Sequence, residues 1–85
     1  MSDDEVKDST YRYYVCEIAE WLKDSALEAK QLSEQSKGTS IHDFDDGVLS
    51  AYRRVISSLQ AQAEGFGLRL EDVNLHDINP DKDLV

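Results

Sequence analysis

The chain holds one cysteine, one proline and two histidines among its 85 residues, and each scarcity excludes something. With Cys16 alone, no internal disulfide can close and no cysteine-based zinc site can form within one chain. Its place beside Val15 and Ile18 predicts a small buried hydrophobe, since Glu17 and Glu20 supply the reverse of the electropositive setting that activates a thiol. Basic residues are few: nine Lys and Arg against eighteen Asp and Glu, a formal charge of −9. Such a surface repels phosphates at long range, so neither a nucleic acid nor an anionic membrane is expected as partner. No apolar run approaches the roughly 20 residues that span a bilayer. The acidic start Met1-Ser2-Asp3-Asp4-Glu5 lacks the positive charge and apolar stretch of a secretory signal, which predicts a cytoplasmic protein.

Present instead are two apolar stripes at helical spacing. Leu49, Tyr52, Ile56, Leu59, Ala63 and Phe66 follow steps of three and four, widened by Val48 and Val55. Earlier, Tyr11, Tyr14, Val15, Ile18, Leu22, Ala26 and Ala29 do the same. The pattern predicts one small all-α domain over residues 1–85: an antiparallel helical hairpin with a short C-terminal segment packed across it. Leu49, Ile56 and Leu59 are expected to bury against Val15, Ile18 and Leu22. A chain this short buries only about 60% of its unfolded surface, and stripes this wide suggest apolar area to spare. A dimeric four-helix bundle is the expected remedy.

Boundaries follow from local chemistry. Ser2 and Glu5 fit a capping box, but Asp8, Ser9 or Thr10 cap equally well, and the apolar period begins only at Tyr11. A helix from about residue 9 to 36 is expected, with residues 1–8 frayed. Gly38 supplies a stop with positive φ. A second helix over about 41–65 starts at Ser40 or Asp43, with Asp43, Asp45 and Asp46 complementing its dipole. Gly47 inside it points to a late start or to close approach of the first helix. Gly65 and Gly67 end it. In the segment 68–85, Leu70-Glu71-Asp72-Val73 reads as one short turn. Asn79-Pro80 reads as an N-cap and first helical position for a last turn over Asp81 to Leu84.

Signs of catalysis are sparse. His42 with Asp43 or Asp46 invites a metal reading, yet an EF-hand frame begun at Asp43 meets Gly47 at position five and Arg54 at position twelve. Helix capping accounts for these acids without a metal. No nucleophile elbow or phosphate loop occurs, and Asp45-Asp46 and Glu71-Asp72 diverge on a helix rather than converging on a cleft. No enzyme, cofactor or metal is therefore expected. Tyr13, Glu17, Glu20 and Asp24 share one outward strip of the first helix, with Trp21 at its edge. Aromatic groups among acids are the composition of a protein-binding surface. Arg53-Arg54 is expected to pair with acids of the first helix.

The run Phe44-x-x-Gly47-x-Leu49-x-Ala51-Tyr52-x-x-Val55-Ile56-Ser57, followed by Gln62-Ala63-x-x-Phe66-Gly67, resembles small bacterial proteins of uncharacterised function over the second half of the chain. In size and charge the chain is similar to colicin-nuclease immunity proteins, though their Tyr-Tyr-Pro signature is absent. The leading expectation is an acidic module that masks a basic protein surface, as an immunity, antitoxin or phage-antagonist factor does. A structural homodimer is the alternative, and a small metal- or ligand-binding helical module the third.

Overall fold

A computed structural model describes the backbone from Asp3 and the side chains from Asp8, to Val85. Fraying at Met1 and Ser2, and the Ser2 capping box, lie outside the described residues. All regular structure described is helical: α1 over Asp3–Gln35, α2 over His42–Gly65, a 3-10 turn over Leu70–Val73, and α3 over Pro80–Asp83. α1 thus starts about two turns before its apolar period does. Thirty-three residues make a rod about 50 Å long. The molecule measures 57 × 20 × 16 Å. Its radius of gyration is 15.6 Å, against about 12 Å for a compact chain of this length.

The reversal between helices is built by the residues around Gly38, which adopts φ +82°. Thr39 donates its hydroxyl to the Ser36 carbonyl at 2.6 Å and so closes the end of α1. Neither Ser40 nor Asp43 caps α2. Ile41 occupies the N-cap without a side-chain bond, and the His42 N–H reaches the Thr39 carbonyl instead. The tight loop thus uses backbone where the sequence offered side chains. At its other end α2 stops in a Schellman arrangement, with Leu68 N–H on the Ala63 carbonyl and Gly67 N–H on the Glu64 carbonyl. Gly67, at φ +76°, makes that turn possible. Gly47 has neither suggested cause: α2 begins five residues earlier, and a Cβ there would meet nothing within 4 Å.

The tail folds back across the hairpin. Ile78 and Leu84 join Ala26, Ala29, Leu49 and Ile56 in one buried cluster, against which Val48 and Tyr52 pack. The core therefore sits toward the loop end and is closed by the tail. Leu49 and Ile56 are buried as expected, but against Ala26, Ala29 and the tail rather than against Val15, Ile18 and Leu22. Val15, Ile18 and Leu59 remain 41%, 39% and 39% exposed. Small residues carry α1 through the core, since Ala19, Ala26 and Ala29 are its buried apolar positions. Cys16 is only half-buried, its thiol 3.5 Å from the Asp72 carbonyl oxygen.

Candidate functional site

Two surfaces carry what chemistry the chain has, and the tail shapes both. The first gathers around Lys23, which the sequence reading passed over. Its side chain is almost wholly buried, yet its Nζ reaches Asp77 Oδ1 at 2.8 Å, Asn74 Oδ1 at 2.9 Å and Glu20 Oε2 at 3.2 Å. Asn74 sits in the left-handed region at φ 58°, which asparagine tolerates well. From there its Nδ2 donates to the Cys16 carbonyl and to Glu20 Oε2. One lysine and one asparagine thus fasten the tail to α1.

The electrostatics follow from these bonds. The Asn74 amide, then Lys23, hold the Glu20 carboxyl below its ordinary range. The hydrogen bond from Lys23 does the same to Asp77 against a smaller opposing effect of burial. For Lys23 the largest single effect is burial, which favours the neutral amine. The bonds to Asp77 and Glu20 together outweigh it, so the ammonium is held above its usual range. Nearby, Asp72 accepts from the Arg69 guanidinium and backbone N–H, which lowers its pKa, and pairs with Arg12 at 3.4 Å.

Around Lys23 lies a depression of about 120 Å³ lined by Glu20, Asp24, Asp77 and Asp83, with Leu27 and Ile78 supplying its apolar part. The tail therefore adds two acids to the acidic strip of α1. Of the residues singled out from sequence, Tyr13, Glu17, Glu20, Trp21 and Asp24 are all exposed, and Glu20 and Asp24 meet in this depression. Glu17 and Asp24 make no ion pair among the described residues. Trp21 is 64% exposed.

The second surface is apolar. A cleft of about 310 Å³ opens between the first half of α1 and the last turns of α2. Buried Ala19, Ala63 and Leu75 form its floor, while Ile18, Leu59, Phe66 and Leu68 stand exposed at its rim. It continues past Val15 into a hollow beside Tyr11 and Asp72. The sequence marks Val15, Ile18, Leu59, Ala63 and Phe66 of this cleft, but as members of the helix stripes that form the core. The signal for Lys23 was faint: small Ala19 and Ala26 flank it at i−4 and i+3, leaving room for another segment to cross.

His42 turns inward rather than toward the acids of its own turn. Its Nδ1 lies 3.1 Å from the Ser33 carbonyl oxygen and 3.3 Å from Ser36 Oγ. No three His, Cys, Asp or Glu side chains converge as metal ligands among the described residues. Arg53 and Arg54 make no ion pair among the described residues, so the expected pairing with α1 is not found. No helix described is long and apolar enough to cross a membrane. No family model, curated protein or solved structure matches the chain.

Proposed function

We propose that the chain is a non-enzymatic, acidic protein-interaction module that binds a basic surface of another protein, as an inhibitor of the immunity, antitoxin or phage-antagonist type would. One observation carries the reading: the tail sets Asp77 and Asp83 beside Glu20 and Asp24, around a depression with an apolar margin. Among the residues lining it Lys23 is the one base, and its ammonium is turned inward and engaged. A lysine or arginine head could pair with the free oxygens while its stem covers Leu27. Tyr13 and Glu17 extend the surface along α1.

Charge of this kind acts mainly on association rate and register, so binding should weaken steeply with salt. Capture of partners from the native host at low and high salt tests this, with Glu17→Lys and Asp24→Lys as comparison. These two are preferred to Glu20→Lys, which would also unfasten Asn74 and Lys23. Loss of basic partners in the variants supports the reading. The same partners, with the same salt sensitivity, would reduce the strip to a solvated face. A homodimeric helical bundle is the second reading, and a separate surface supports it.

A further inference from the structure

The hairpin has two broad sides, and the tail covers only one. Its anchors are Lys23 and Cys16 on α1 and Gln60 on α2, whose Nε2 donates to the carbonyls of Leu75 and Ile78 at 3.0 and 2.8 Å. Ile18 lies five residues before Lys23, and Val55 five before Gln60. Each is therefore turned about 140° around its helix from the anchored side. On that uncovered side α1 presents Tyr14, Ile18, Trp21, Ser25 and Leu32, and α2 presents Val48, Val55, Leu59, Gln62 and Phe66. Seven of these ten are large hydrophobics left at least a third exposed, Phe66 most at 79%. A second hollow, of about 220 Å³, continues the interhelical groove between Ala29, Leu32, Val48 and Tyr52.

Charge is nearly missing from this side. On a chain with 27 charged residues, the α2 row from Val48 to Phe66 has none, and among the described side chains of α1 Glu28 at the margin is the only one. We propose that this face is covered by a second copy of the chain, two hairpins packing about a two-fold axis as a four-helix bundle. Three observations select a copy over a foreign partner. A two-fold interface sets the same patch against itself, and a patch without charge can meet its image without repulsion. Its extent is right as well. The 24 residues of α2 give a length of about 36 Å, and two helices side by side about 20 Å of width. That is about 700 Å² per copy, close to the roughly 800 Å² of a standard stable interface. Finally, among the described residues a single copy fully buries two large side chains, Ile56 and Leu84. The acids of the partner surface lie outside this contact and stay open; only Trp21, at the edge of their strip, is shared.

Sedimentation equilibrium over a concentration series tests the proposal on the intact chain, whose single-copy mass is 9.6 kDa. The expected mass is twice that at high micromolar concentration. Added salt should strengthen the dimer, because it screens two copies of charge −9 from each other. Salt acts oppositely on binding of a basic partner, so failure of one reading is distinguishable from failure of the other. Val55→Glu and Trp21→Glu, both exposed within one copy, should leave helical circular dichroism unchanged and weaken the dimer about a hundredfold, since each falls twice in the interface. Gln31→Glu, also exposed but outside the face, should leave it intact. A single-copy mass at high micromolar concentration and high salt would overturn the proposal. So would a dimer indifferent to Val55→Glu, or a face that takes up an added amphipathic peptide while the chain stays a single copy.

Discussion

At the scale of single residues, burial separates positions that periodicity made equivalent. Ile56 and Leu59 both belong to the α2 stripe, but Ile56 is fully enclosed and Leu59 stands at a cleft rim. Ile56→Ala should cost about 2–5 kcal/mol, and Leu59→Ala about half as much, because part of its surface is already wet. Urea titration of the two variants checks the order, and equal losses would contradict this packing. Gly47 gives a prediction of opposite sign. It lies inside α2 with open space where a Cβ would stand, so Gly47→Ala should raise stability by about 1 kcal/mol. A loss would reveal a contact at that position. Which stripe residues reach the core was not legible in the sequence, because a helix pattern fixes a face and not how far its partner extends along it. Leu49 and Ile56 lie under the tail; Val15 and Ile18 line a cleft beside it that stays open.

At the scale of elements, the two helices were legible because their apolar periods run for many turns, and the short turns because their chemistry is local. Pro80 opens α3 just after Asn79, although the expected side-chain cap is replaced by the Asp83 carboxylate accepting the Asn79 N–H at 2.8 Å. The clasp of Lys23 with Asn74 and Asp77 was not legible, since its members are more than fifty residues apart. It makes tail docking depend on pH. Glu20 and Asp77 have lowered pKa values when folded. Their contribution is therefore complete above the ordinary carboxylate range and is lost as pH falls through the lowered values. Lys23 is raised, so its contribution is complete below the ordinary lysine range and lost only as pH climbs through a still higher value. The clasp should hold across neutral pH and open in strong acid. Lys23→Met keeps the buried stem and removes the ammonium, and should cost about 1–2 kcal/mol, the carboxylate partners being half exposed. Unfolding followed from neutral to acid pH checks both effects. The variant should lose less stability than the parent on acidification; identical pH slopes would mean the clasp contributes nothing.

At the scale of the whole molecule, shape and charge are divided in the same way. The long hairpin gathers its core under the tail and leaves one broad side apolar, while the acids collect along the outer edge and the tail. Buried positions on α1 run from Ala19 to Ser33, with Ser36 just beyond the helix end, whereas residues 8–15 are all exposed. Backbone amides near Tyr13 and Tyr14 should therefore open at low cost in a single copy, and those from Ala26 to Ser33 only with global unfolding. Hydrogen exchange read along α1 should show protection rising toward its C-terminal half. If two copies join through the charge-poor side, Tyr14 and Ile18 enter the contact, and protection there should grow with protein concentration while that at Ala29 changes little. In Val55→Glu the concentration dependence should vanish and the gradient should remain. A flat profile along α1 at low concentration would mean that the first half of the helix is held by something other than the packing described. A gradient unaffected by concentration, in a chain shown to be dimeric, would place the dimer contact elsewhere.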